Sequence, residues 1–145
     1  MRTVRLIHWN EDEGLERRRQ LEALGDDVAF DFGDGPFVLR TLKAGSPDAI
    51  VVDLSRLPSH GREVGRSIRG SKTTRHLPIV YVDGAPEKVA ATKALLPDAT
   101  YTTWGRLKTA LPRAIARPVT NPVVPAGCMW PARHFAWAAR FACRA

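Results

Sequence analysis

The sequence predicts an α/β fold: a five-stranded parallel sheet, doubly wound, with helices on both faces. Three observations predict it. Strand-like and helix-like segments alternate five times within residues 1–117. Two of the strand segments, "DAIVVDL" and "LPIVYVD", are continuous apolar runs, which suits strands buried on both faces. The chain has 145 residues, 44% of them hydrophobic and 26% charged, enough for one domain with a real core. Strands that alternate with helices require right-handed crossovers, and so a parallel sheet.

Each element has its own reason. "TVRLIHW", residues 3–9, is rich in β-formers and predicts the first strand. "EDEGLERRRQLEALG" predicts a helix with Leu15, Leu21 and Leu24 on its inner face and Gly25 as its stop. "DVAFDF" alternates as a short strand. In "GDGP" a turn opens the helix "GPFVLRTLKAGS", where Pro36 sits in the first turn. The apolar run ending at Asp53 is the third strand. "GREVGRSIRGS" forms a helix with Val64 and Ile68 four apart. "LPIVYVD" is the fourth strand, and "PEKVAATKALLPD" is helical, with Pro86 near its start. "ATYTTW" is a short fifth strand, and "RLKTALPRAIA" a last helix with Pro112 placed to kink it.

Residues 1–117 therefore read as one domain. From Arg117 the texture changes. "RPVTNPVVPAG" has no helix or strand period and reads as a Pro-rich linker. The segment from Cys128 is rich in Ala, Arg and Trp, and residues 118–145 are expected to be disordered or partly helical. Residues 1–98 hold fifteen Lys/Arg and fifteen Asp/Glu, whereas residues 99–145 hold seven Lys/Arg and no acid. The net charge of +7 thus lies in the last third, which favours anionic partners such as nucleic acid or acidic lipid. Phe135, Ala139 and Ala142 against Arg133 and Arg140 suit a short cationic amphipathic helix. A shifted reading frame in GC-rich DNA is a second origin for this acid-free composition.

Several function classes lack their signatures. There is no apolar signal segment at the start and no run near the ~20 residues that span a bilayer, so a cytoplasmic location is expected. Cys128 and Cys143 make neither a disulfide framework nor a metal-site spacing. His8, His60, His76 and His134 are scattered. No glycine-rich nucleotide loop is present. In open parallel sheets the functional crevice lies beyond the carboxyl ends of the strands. His8, Trp9, Asp53, Asp83 and Trp104 all fall at such ends.

The order of elements over residues 3–116, with the words "DAIVVDLSRLPSHG", "HLPIVYVDG" and "DATYTTWGRLKTAL", resembles the receiver domain of bacterial two-component response regulators, a flavodoxin-like (βα)5 fold. That resemblance implies a phosphoacceptor aspartate, an acid pair that helps it hold Mg²⁺, a Thr or Ser ending the fourth strand and a Lys ending the fifth. Mg²⁺ wants oxygen ligands, and metal and Lys together offset the charge of a transferring phosphoryl group. Asp53 matches the acceptor, Gly61 matches a glycine eight residues on, and Pro58 lies one place later than the usual loop proline.

The remaining positions depart. Asp83 stands where Thr or Ser is expected, and a carboxylate there repels phosphate. Trp104 stands for the Lys and brings no positive charge; Gly105 replaces the proline after it. The acid pair has three alignments: His8 with Trp9, Asn10 with Glu11, or Glu11 with Asp12. Only the last supplies two carboxylates, making Asp53, Glu11 and Asp12 the candidate Mg²⁺ ligands. Arg106 and Lys108 belong to the next helix and are not promoted to the missing cation. The departures predict a pseudo-receiver: a non-enzymatic signalling module that binds a protein partner without normal phosphotransfer. Two alternatives stay open: a working phosphoacceptor at Asp53 with Mg²⁺, and anion or nucleic-acid binding by the basic tail.

Overall fold

The structure, a computed structural model, describes residues 1–117 and Val119. The readings placed on 118–145, including the linker, the amphipathic helix and the cysteine pair, lie outside the described residues.

Five strands and five α-helices alternate as expected: β1 (Thr3–Ile7), α1 (Glu11–Ala23), β2 (Asp27–Asp31), α2 (Gly35–Ala44), β3 (Ala49–Asp53), α3 (Pro58–Gly70), β4 (Ile79–Val82), α4 (Pro86–Leu95), β5 (Thr100–Thr102) and α5 (Leu107–Ala116). A single 3-10 turn, Trp104–Arg106, links β5 to α5. All strand pairs are parallel and the order is β2-β1-β3-β4-β5. The order reverses between β1 and β3. Crevices of open α/β sheets form at that reversal, so the ends of β1 and β3 are where His8 and Asp53 meet.

The apolar runs earn their burial: every residue of β3 and β4 is buried. Alternate residues serve two cores. Ile50 and Val52 face α2 and α3 with Val38, Leu42, Val64 and Ile68. Ala49 and Val51 face α1 and α5 with Leu21, Leu107 and Leu111. The period-2 alternation of a strand thus puts one apolar set on each face.

Two local outcomes differ from the sequence reading. Of the three leucines expected on the inner face of the first helix only Leu21 is buried; Leu15 and Leu24, the latter just past the end of α1, are 37% and 38% exposed. The inner face instead uses Gly14, where a Cβ would stand 2.2 Å from the Phe30 ring. Helix α3 begins at Pro58 rather than Gly61, because a proline's missing N–H costs nothing at a first helical turn. Helix α5 runs continuously through Pro112. Gly25 is a stop of the expected kind: its φ of +92° suits glycine, and Asp26 N–H donates back to the Leu21 carbonyl.

Among the described residues the largest fully buried side chain is a charged one. Arg69 Nη1 donates to the carbonyls of Arg75 and Leu77, both at 2.7 Å, and so fixes the connection from α3 to β4. Burial pushes its guanidinium below the usual range. Beside it Tyr81 stacks on Tyr101, with centroids 5.4 Å apart.

Candidate functional site

Asp53 ends β3 and is 2% exposed. A buried carboxylate needs hydrogen bonds on both oxygens, and Asp53 has them. Oδ1 accepts from the backbone N–H of Ser55 at 2.7 Å and from the Ser55 hydroxyl. Oδ2 accepts from the indole N–H of Trp104 at 2.9 Å. The first two contacts form a local turn of the kind Asp makes with the residue two places on. The third comes from across the sheet, from the position where the receiver resemblance puts a Lys.

Trp104 is held from two sides. Its backbone N–H faces Asp83 Oδ1 at 3.4 Å, and the Arg17 guanidinium lies over its ring, 4.7 Å from the centroid. The second contact is a cation–π pair. Asp83 itself adopts φ +56°, a left-handed conformation that Asp tolerates better than most residues, and Gly84 follows at φ +101°. The chain thereby turns sharply out of β4, leaving Asp83 half-buried on the rim.

His8 is 1% exposed and sits beside Asp53. Its Nδ1 accepts from the backbone N–H of Asn10 at 3.0 Å, so in this hydrogen-bond pattern the ring proton is on Nε2. Nε2 faces Asp53 Oδ2 at 3.5 Å and Glu13 Oε2 at 3.6 Å. Asn10 caps α1 by accepting from Glu13 N–H, and this cap sets which acids turn inward. Glu11 and Asp12 remain exposed in the first turn, where negative charge suits the helix dipole. Glu13 turns toward the site. Arg56 grips it with two hydrogen bonds, Nε to Oε2 at 3.0 Å and Nη2 to Oε1. Those bonds hold the Glu13 carboxyl below its usual range and raise the Arg56 guanidinium further, with the Asp53 charge adding to the second effect.

The sequence-predicted residues therefore divide. Asp53, Trp104, Asp83 and His8 come together. Trp9 turns away and meets the His60 ring, 5.9 Å between centroids. Glu11 and Asp12 are not drawn to Asp53, though Asp12 lines the open crevice above it, a space of about 710 Å³. Arg106 lines a separate groove with Lys93 and Tyr101. Glu13, Ser55, Arg56 and Arg17 were not singled out by sequence reasoning. For Glu13 a signal existed: an Asn three residues before a Glu marks a helix start.

These groups do not fit Mg²⁺, which takes a shell of oxygens. Asp53 has both oxygens engaged, Glu13 is bound by Arg56, and the group beside them from the end of β1 is an imidazole. Among the described residues no three or more His, Cys, Asp or Glu side chains are placed to hold a metal ion. Nor is any described helix long and apolar enough to cross a membrane.

No protein-family model matches the chain, and no curated protein matches it. Solved structures do. A protein assigned as a response regulator from Chloroflexus aurantiacus J-10-fl superposes with a TM-score of 0.68 at 18% identity, covering 80% of this chain and 98% of that one. The receiver domain of a sensor histidine kinase from Pseudomonas aeruginosa PAO1, with magnesium coordinated in its cleft, gives 0.62 at 23% identity over 80% and 98%. A chemotaxis protein, CheY4, from Vibrio cholerae gives 0.64 at 21% over 79% and 98%. Four-fifths of this chain thus carry, strand for strand, the fold of response regulator receiver domains.

Proposed function

We propose that this chain is a receiver-type signalling module that docks a protein partner and in which Asp53 does not itself take up a phosphoryl group. The observation that carries this reading is the closure of Asp53. An acceptor carboxylate must present an oxygen to the incoming phosphorus. Here Ser55 holds one oxygen and the Trp104 indole the other, and the side chain has almost no exposed surface. The cation that would offset transferred charge is replaced by an uncharged donor, and Asp83 adds negative charge at the rim. We place the module in the cytoplasm and regard it as non-enzymatic.

Docking is supported by the groove between α4 and β5. Pro86, Val89, Ala90 and Tyr101 line it, together with the cations Lys93 and Arg106 and the acid Asp83. An apolar strip flanked by two cations and one acid suits a protein face with an apolar centre and a charged rim that is mostly acidic.

Beryllofluoride with Mg²⁺ mimics a phosphoryl group on an aspartate and tests the closed site by amide chemical shifts. The expected result is no shift at 53–56, 83–84 or 103–106. Saturable shifts there that vanish in Asp53→Asn would overturn the reading. For the docking face, a photo-crosslinking residue at Lys93 is expected to give one dominant adduct in cells that the same residue at Arg19 does not. Equal labelling from both sites would remove the groove from the proposal.

A further inference from the structure

We propose that the amino end of the sheet, opposite Asp53, is a binding surface for the phosphate backbone of duplex nucleic acid. The turn between α3 and β4 and the last turns of α5 build it. It goes beyond the docking reading and shares no residue with the groove between α4 and β5.

Charge comes first. Arg2, Arg5, Arg18, Arg19, Arg56 and Arg66 each stand against a carboxylate. Lys72, Arg75, Arg113 and Arg117 have no such partner among the described residues. Lys72, Arg113 and Arg117 are exposed, and Arg75 is half-buried. Pro78 carries the turn into a groove of about 390 Å³, which it lines with Thr100, Arg113 and Arg117. Asp98 also lines this groove, but its charge supports the buried Arg69 guanidinium. The other acids of this end lie toward β1 and β2. Asp26 pairs with Arg2 at 2.6 Å, Asp48 accepts from the Thr3 N–H at 2.8 Å, and Asp27 lies across from Thr3. The β4–β5 side of this end is therefore cationic, and the β1–β2 side is not.

Rigidity comes second. Arg75 N–H donates to the Ser71 carbonyl and Leu77 N–H to the Thr74 carbonyl, so residues 71–77 form two linked turns. From inside, Arg69 Nη1 holds the Arg75 and Leu77 carbonyls, and the Thr74 hydroxyl donates to the Ile68 carbonyl at 2.9 Å. The segment that carries Lys72 and Arg75 is thus fixed before anything binds, which lowers the ordering cost of binding. Side-chain chemistry then selects the partner. Lys, Arg and hydroxyl groups are the usual contacts to phosphate oxygens, and the Ser71 and Thr73 hydroxyls lie in the same turn. No Phe, Tyr or Trp belongs to residues 71–78 or lines the groove, so the face has no platform for stacking unpaired bases. None of the exposed large hydrophobic residues belongs to it either, so nothing there can sink into a lipid headgroup layer. Contact with a duplex backbone, independent of sequence, fits what the face does carry.

The test titrates the full chain into a fluorescein-labelled DNA duplex of about 20 base pairs and arbitrary sequence, read by anisotropy at about 50 and about 150 mM salt. Four phosphate contacts give a slope of about −3.6 in log K against log salt, so affinity is expected to fall roughly 50-fold between the two conditions. The triple variant Lys72→Gln, Arg113→Gln, Arg117→Gln is expected to bring that slope to about −1. A matched variant, Arg133→Gln, Arg140→Gln, Arg144→Gln, removes the same charge from residues 118–145 and is expected to lose less. Circular dichroism on both variants separates loss of contacts from loss of the fold. No binding by the folded wild-type chain at the lower salt overturns the inference. So does a second variant that loses as much slope as the first, or more. Vesicles containing phosphatidylserine that bind as tightly as the duplex, and depend on the same three cations, would assign the face to a membrane and overturn its assignment to nucleic acid.

Discussion

Replacing Trp104 with Phe tests the hydrogen bond that closes the site. The substitution keeps an aromatic ring beneath Arg17 and removes the indole N–H that reaches Asp53 Oδ2 at 2.9 Å. A hydrogen bond to a charged group contributes about 1.5–3 kcal/mol, and its loss leaves a buried carboxylate oxygen short of a donor. His8 Nε2, 3.5 Å away, can close in and recover part of that. We expect about 2 kcal/mol from the bond and about 1 kcal/mol from the smaller ring. A total of ~3 kcal/mol lowers the melting temperature by roughly 10 °C in a domain of this size. The assay is urea denaturation of wild type, Trp104→Phe, Asp53→Ala and the double variant. Asp53→Ala also removes the Ser55 contacts, but that loss occurs in both arms of the cycle and cancels. The expected coupling energy is about 1.5–2 kcal/mol. A coupling below about 0.5 kcal/mol would mean that the indole is not holding the carboxylate, and the argument for a closed site would fail with it.

Two further outcomes follow from the other face of the sheet. Tyr81 and Tyr101, the chain's two tyrosines, are both raised above the usual phenol value of 10, chiefly by burial. A raised pKa means that the folded state holds the proton more tightly. This stabilisation is complete below pH 10 and drains away as pH rises toward the folded values. Absorbance at the phenolate band should therefore rise only together with loss of the circular dichroism signal. A midpoint near pH 10 in a chain that is still folded would refute it. Gly65→Ala is expected to cost about 2–3 kcal/mol in the same urea assay, because its Cβ would stand 1.9 Å from the Tyr81 hydroxyl and 2.5 Å from Leu96 Cδ1. A loss under about 0.5 kcal/mol would mean that α3 can shift away from β4 freely.

The sheet was legible because burial on both faces writes continuous apolar words, and β3 and β4 are such words. Asp53, Asp83 and Trp104 were legible as strand ends for the same reason. The failures share a cause. Leu15 and Leu24 carry the residue type of an inner face, but a small residue, Gly14, lets Phe30 close on α1 instead. The pairing of Arg56 with Glu13 joins residues 43 apart, through an exposed loop that follows no period. The choice of Glu13 over Glu11 and Asp12 depended on where α1 starts. A shift of one residue in the cap turns a helix by about 100° and would bring a different acid inward. Ser55 was hidden by its ordinariness: a serine two places after an aspartate is a common turn.

The closed site also explains how a buried Asp53 is supported with no lysine at the end of β5. Removing the cation from beside a buried aspartate costs several kcal/mol unless other donors replace it. Here three uncharged donor groups do so: the serine N–H, the serine hydroxyl and the indole N–H. Positive charge lies further out, on Arg56 and Arg17, where Glu13 and the Trp104 ring engage it. Uncharged donors hold a carboxylate in place but offer little to the extra negative charge of a phosphoryl group. An arrangement that stabilises Asp53 as an anion in this way is, for the same physical reason, one that disfavours its phosphorylation. Asp53→Asn would accordingly disturb stability more than signalling if docking is the function, and the reverse if phosphotransfer is.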